Sequence, residues 1–252
     1  MATSSEISER IMEAVMARKL APGARLGEQQ LAMLFDCSRT IVREALTRLA
    51  VRGIVTVSAR RGWYVMEPTQ DEAREAFEAR RVIETGLIRS GSGSGLAPAA
   101  LRRLRAHVGR EQAAIAGSDV GLRSFLLGDF HVCLAECLGN GLLAETLRDF
   151  TARTTLIAMR YQSTADAAQS CAEHAGIVEA LEAGDLPRAE ALMAAHLRTW
   201  QEKLQMPGAE DPLAQLREAL APIERAAQVL HTSVPAGGAK PPELSTYLGD
   251  VL

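Results

Sequence analysis

Three histidines offer chemistry in this chain. His131 lies in GDFHVCLAECLGN, His174 in CAEHAGIVEALEAGD and His196 in AEALMAAHLRTW. Each falls within a helical pattern, each on a different helix, so a bundle can bring all three together. Neutral imidazole is the commonest transition-metal ligand, and three suffice to hold zinc with a fourth position open. A mid-helix histidine is also an ordinary hydrogen-bonded core residue, and spacing alone does not separate the two readings. A second set lies nearer the N-terminus. Ser38, Arg39, Thr40 and Arg43 open a helical pattern whose apolar residues, Val42, Ala45, Leu46 and Leu49, repeat at i, i+3, i+4 and i+7. The opposite face is basic and hydroxylated. Arginine forks match the two acceptors of guanine, and hydroxyls suit phosphate oxygens.

The elements that position these groups follow in order. Ser38 precedes its helix as an N-cap. Leu31 and Leu34 are expected to seat the helix before it, roughly residues 28–35. Ile54 to Val57 and Trp63 to Met66 are β-branched and aromatic runs around a polar turn, a hairpin signal with Arg60, Arg61 and Gly62 at its tip. Two short helices followed by a hairpin form a winged helix-turn-helix, whose second helix enters the major groove of duplex DNA. The competing reading is an amphipathic helix pair whose arginines are only a solvated face. Beyond Pro68-Thr69, helical patterns recur at roughly 70–89, 98–116, 121–138, 141–163, 168–183 and 186–205, broken by Gly and Pro. Six such helices predict a compact antiparallel bundle. The expected fold is mostly α: a winged helix-turn-helix over 1–67, a helical domain over 68–206, and an extra helix (211–230) with a Pro/Gly-rich, disordered tail within 207–252.

Charge divides along the same line. Residues 1–66 hold 10 Lys+Arg against 6 Asp+Glu, a net of +4, and the remainder holds 18 against 25, a net of −7. A basic head on an acidic body fits a DNA reader joined to a domain with another task. A head of +4 binds weakly alone, so a homodimer is expected. There is no apolar run near 20 residues and no signal peptide, which predicts a cytoplasmic, nucleoid-associated protein without membrane contact. Cys37, Cys133, Cys137 and Cys171 show no C-x-x-C spacing and read as reduced thiols.

The stretch from Pro22 to Val65 resembles the DNA-binding domain of the GntR family of bacterial transcriptional regulators. Pro22-Gly23, Leu26, Glu28, Leu31-Ala32, SRTIVREALTRL, Gly53 and Arg61-Gly62 carry the resemblance. Ile41 stands where the family usually has Pro, and Asp36 where it usually has Gly. Asp is one of the few residues that tolerate a left-handed turn. The resemblance implies that Arg39 and Arg43 read bases or phosphates. It places Glu28 and Gln29 at the DNA contacts of the preceding helix, and Arg60, Arg61 and Gly62 along the minor groove.

The body resembles the FCD effector-binding domain of the FadR-type subgroup. Phe130-His131, Gly139-Asn140, Glu173-His174, Ala180, Gly184-Asp185, Ala189, Met193 and His196 follow that pattern, with Arg80 and Glu84 on its first helix. The resemblance covers roughly residues 6–204. Metal-binding members of the subgroup hold the ion with one Asp and three His, and the Asp position is Leu127 here. Asp129 lies two residues from His131, about 200° around the helix and off its face. The expectation is therefore a three-histidine site for a divalent ion such as Zn²⁺, or a metal-free imidazole cluster. By resemblance Arg80 grips a small carboxylate effector through a two-bonded fork; the alternative is a solvated i, i+4 pair with Glu84. Arg153, Arg160 and Asn140 are further effector-side candidates, Asn140 also being a natural helix-end residue. Ser90 to Gly95 departs from the family pattern, and its three glycines are expected to fray a helix end.

The reading that follows is a ligand-responsive regulator, a repressor by expectation and not an enzyme. As a dimer it would bind an inverted-repeat operator and sense a small organic acid. Two alternatives stand beside it. One is a metal-dependent hydrolase using the three histidines. The other is an effector-free architectural DNA-binding protein.

Overall fold

Two reciprocal capping boxes begin the helices that frame the molecule. Thr3 accepts from the Glu6 N–H while Glu6 accepts from the Thr3 N–H, and Thr69 with Glu72 repeats the arrangement. They start α1 (Ser4–Met16) and α4 (Gln70–Ser90). The computed structural model describes residues 2–58, 62–91, 96–161 and 167–202, without the side chains of 160 and 161. Arg60, Arg61, most of the Ser90–Gly95 run and everything expected beyond residue 202 lie outside the described residues.

Between the two boxes lie β1 (Arg25–Leu26), α2 (Glu28–Leu34), α3 (Arg39–Val51), β2 (Val55–Ser58) and β3 (Gly62–Val65). The sheet order is β1-β3-β2, antiparallel throughout, with Val57 opposite Trp63 and Arg25 opposite Tyr64. This is a winged helix-turn-helix, with α1 and β1 added to the elements expected from sequence. Ser38 caps α3, its Oγ accepting from the Ile41 N–H at 3.3 Å. Asp36 does adopt the left-handed backbone, at φ +48°. Val42, Ala45, Leu46 and Leu49 are fully buried against Ile7, Ile11 and Val15 of α1. One expectation fails. Leu34 is 75% exposed. The face of α2 that turns inward carries Glu28, Leu31, Ala32 and Phe35, an i, i+3, i+4, i+7 set that leaves Leu34 outside it.

The bundle comprises α4, α5 (Pro98–Ala116), α6 (Val120–Cys137), α7 (Gly141–Tyr161), α8 (Ala167–Glu182) and α9 (Leu186–Glu202). Its core is built on Ile88, Leu104, Phe130, Ile177 and Met193, all fully buried. α4 packs on α9 and α7, and α5 on α6 and α8. Helix α1 also packs on α6 and α7, so the N-terminal helix belongs to both halves. A second joint lies at the end of α3. Arg52 Nε donates to Asp149 at 2.6 Å, and Arg153 Nη2 donates to the Arg52 carbonyl at 2.6 Å. Gly53 sits beside this joint at φ +71°, where an added Cβ would lie 2.0 Å from Arg153 Nη2. Among the described residues no helix is long and apolar enough to cross a membrane.

Candidate functional site

Helices α6, α8 and α9 bring His131, His174 and His196 together inside the bundle. All three are buried, and one ligand nitrogen from each lies within 4.8 Å of the others. Phe130 stacks on the His174 ring at 3.9 Å between centroids and fixes its plane. Each imidazole meets a carboxylate through Nδ1. His131 Nδ1 pairs with Glu84 at 2.6 Å, His196 Nδ1 with Glu173 at 2.6 Å, and His174 Nδ1 with the two Glu111 oxygens at 3.0 and 3.1 Å. A carboxylate only accepts, so each Nδ1 carries a proton, and in a neutral ring Nε2 then keeps its lone pair. Three clustered imidazoles, each oriented by a carboxylate, match the donor set and supporting shell that a histidine metal site requires. His174 Nε2 is buried without a hydrogen-bond partner. An orphaned acceptor in this position fits a cation.

The protonation states agree with that chemistry. Burial, aided by the Arg80 charge, pushes the His131 imidazole down to about 3. Burial likewise pushes His196 down to about 4, against the pull of Glu173. Burial opposes charge on Glu84, yet His131 and Arg80 hold its carboxyl at about 2. The charges thus rest on Arg80 and Glu84, and the imidazoles of His131 and His196 stay neutral and able to ligate.

Beside the histidines lies a cavity of about 120 Å³, lined by His131, His196, Arg80, Leu127, Thr154 and Trp200 among others. Arg80 is 5% exposed. Its Nε donates to Glu84 Oε1 and its Nη1 to Thr154 Oγ1, both at 2.8 Å, while Nη2 is buried without a partner. The i, i+4 pair with Glu84 exists, but it is buried rather than solvated. A buried guanidinium with one unsatisfied edge suits an anionic ligand. Thr151 Oγ1 is likewise buried and unpartnered on the cavity wall.

Two effector-side candidates lie elsewhere. Asn140 caps α7, its Oδ1 accepting from the Leu143 N–H at 3.0 Å, and does not line this cavity. Arg153 points to the joint with α3, because the Arg52 carbonyl claims its guanidinium. The Arg160 side chain lies outside the described residues. Leu127 does line the cavity, one turn before His131, whereas Asp129 faces His107 at 3.9 Å from its Nδ1. Sequence reasoning missed Glu111, and it placed Glu173 in the family pattern without its role as the partner of His196. A glutamate at a helix position expected to be apolar is the signal that marks Glu111. It missed Arg18 and Arg123 as well, both of which line the cavity.

On the other half, Glu28 is the hub of the exposed face of α3. Its carboxylate accepts from Arg43 Nε and Nη2 at 3.0 and 2.8 Å, from Arg39 Nη2 at 3.0 Å and from Trp63 Nε1 at 3.0 Å. Hydrogen bonds from Arg43, Trp63 and Arg39 hold its carboxyl at about 2. Glu28 therefore sets the two arginines side by side, still more than half exposed. Gln29 and Thr40 are exposed near them, and Gly62 begins β3 at φ +94°.

Comparison with known proteins agrees with both halves. The family described as bacterial regulatory proteins, gntR family, matches residues 3–65, and the FCD domain matches residues 75–199. An uncharacterized HTH-type transcriptional regulator from Streptomyces ambofaciens is 30% identical over 212 residues, covering 82% of this chain and 87% of its own. The HTH-type transcriptional repressor RspR of Escherichia coli is 26% identical over 188 residues, 73% of this chain and 81% of its own. A solved structure from Rhodococcus sp. RHA1, described as a transcriptional regulator GntR, shares the fold. Its TM-score is 0.69 at 23% identity, over 80% of this chain and 96% of that one.

Proposed function

Because the chain belongs to the GntR family of bacterial regulatory proteins and carries an FCD domain, we propose that this DNA-binding transcriptional regulator senses a small organic acid in a metal-assisted pocket. The chain is a regulator and not an enzyme, as its families and relatives are. The observation that carries the sensing reading is the cavity shared by Arg80, with its free Nη2, and by His131 and His196, with His174 clustered behind them and all three Nδ1 atoms tied to carboxylates. His131, His174 and His196 would hold a divalent ion such as Zn²⁺. When bound, the ion supplies a Lewis-acidic centre for a ligand oxygen. Arg80 supplies the charge-assisted fork for the acid's carboxylate.

Residues 1–67 read DNA in this account, and 68–206 sense. Arg39 and Arg43 face the major groove, held side by side by Glu28, with Ser38, Thr40 and Gln29 on phosphates and the wing around Gly62 alongside. A homodimer in the cytoplasm, at the nucleoid, would match an inverted-repeat operator by its own two-fold axis. Similarity to RspR, a transcriptional repressor of E. coli, supports a repressor. Coupling between the halves runs through α7, which lines the cavity with Thr151, Thr154 and Thr155 and holds Arg52 through Asp149 and Arg153. A ligand then acts by its different affinity for two placements of the head.

The test is fluorescence anisotropy on a duplex selected by the full-length protein from random sequence, at fixed salt. Addition of Zn²⁺ with a panel of small organic acids is expected to weaken binding at least tenfold for one acid. Unchanged affinity across the panel contradicts the sensing reading.

A further inference from the structure

Part of the cavity wall is made by the DNA-binding half. Helix α1 ends at Met16, and the chain turns through Arg18 in a left-handed backbone at φ +55°. That turn packs on the start of α6. Ser124 Oγ donates to the Met16 carbonyl at 3.0 Å, and an added Cβ on Gly121 would lie 3.2 Å from the Ala17 carbonyl. Arg18 thereby lines the same cavity as Arg80, together with Arg123 of α6. The Arg18 Nε is buried with no hydrogen-bond partner. Burial, and then the like charge of Arg123, push its guanidinium below the usual range. Three arginines line the cavity, and among the described residues no carboxylate does. Glu84 stands behind Arg80 and balances that end alone.

Two guanidinium groups, each with a buried N–H that has no partner, therefore line one small space. At about 120 Å³ the cavity has room for a few waters, at about 30 Å³ each, which suits a small acid. A ligand with one carboxylate satisfies Arg80 and leaves Arg18 beside Arg123 with no counter-charge. We infer that the ligand is a small acid with two anionic ends, one carboxylate at Arg80 and the imidazoles and a second anionic group at Arg18 and Arg123. This rests on the sensing reading above and deepens it. Arg18 lies within the gntR-matched segment, residues 3–65, so a two-ended ligand binds both halves of the protein at once. A one-ended acid touches only the bundle's Arg80 pole. The second group is a carboxylate or a phosphate, since a guanidinium pair recognises either.

The experiment is isothermal titration calorimetry of the full-length protein at constant ionic strength. The probes are butyrate and hexanoate, then succinate, glutarate and adipate, then 2-phosphoglycolate. The expected result is that one two-ended acid binds at least tenfold tighter than the one-ended acid of matching length. Arg18→Gln should bring that ratio close to one while leaving the one-ended acid unchanged. Because Arg18 sits at a positive φ, Arg18→Asn serves as a second variant with a residue that tolerates this conformation. Arg123→Gln, on a helix and partly exposed, is a third whose folding is secure, and it should also lower the ratio. Tighter binding of 2-phosphoglycolate than of every dicarboxylate assigns the second group as a phosphate, and the reverse order assigns a carboxylate. A ratio near one in the wild type, or a ratio untouched by all three variants, overturns the inference. Arg80→Gln separates the two levels. If it abolishes binding of every acid while the Arg18 variants change nothing, the sensing reading stands and the two-ended ligand falls. If it changes nothing, both fall.

Discussion

The carboxylates behind the histidines give the most quantitative handle on the site. Glu111 is fully buried and accepts from His174 Nδ1 through both oxygens. Glu173 holds His196 in the same way, but its side chain is 26% exposed. Glutamine at either position keeps an oxygen acceptor for the Nδ1 proton and removes only the charge. Losing such a supporting group typically lowers metal affinity 10–100-fold, about 1.4–2.7 kcal/mol. Water screens the Glu173 charge and none reaches Glu111, so the two variants should fall at opposite ends of that range. Glu111→Gln is expected near 100-fold and Glu173→Gln near tenfold. The assay is competition for Zn²⁺ with a chromogenic chelator at pH 7, on full-length protein whose thermal unfolding shows it folded. Glu111 also lies 3.4 Å from His107 Nε2, so the unfolding curve separates lost stability from lost affinity. Equal affinities for both variants and the wild type would refute the assignment of these carboxylates. A larger loss at Glu173 than at Glu111 would refute the burial argument.

Three further outcomes follow. Leu127 lines the cavity one turn before His131, so Leu127→Asp should tighten Zn²⁺ at least tenfold while lowering the metal-free melting temperature. Unchanged Zn²⁺ affinity would mean that the position does not face the ligands. Arg43→Ala should weaken binding to the selected duplex by about 1–3 kcal/mol, read by anisotropy; full affinity would remove α3 from the groove. Glu28 titrates at about 2 when folded against an ordinary 4.5, so its pairing stabilises the head fully above about pH 4.5 and is lost as pH falls toward 2. The urea midpoint of Glu28→Gln should therefore approach that of the wild type between pH 5.5 and pH 2.5, and a constant gap would contradict the ion cluster.

The sequence made the helices legible because their punctuation is local. Pro98, Gly139 and Gly184 stop or start helices by backbone geometry alone, and the observed bundle helices lie within a few residues of the expected ranges. The recognition helix was equally legible, since Ser38 and the Val42-Ala45-Leu46-Leu49 stripe are consecutive statements of one period. The partners of the histidines were not legible, because they depend on which helices meet. Glu173 precedes His174 in sequence, yet it orients His196, since neighbouring residues on a helix diverge by about 100°. Arg153 looked like an effector ligand, and the carbonyl that claims it lies a hundred residues earlier, at Arg52. Arg18 gave no periodic signal at all. It reaches the cavity only because α1 ends in a left-handed turn against α6.

The central claim is that His131, His174 and His196 hold a metal ion. Elemental analysis of protein purified without a histidine tag, on wild type and His174→Ala, tests it most directly. The account predicts about one equivalent of a divalent transition metal per chain in the wild type, lost in the variant. Metal absent from the wild type after incubation with Zn²⁺ and desalting, or present equally in both proteins, would contradict it.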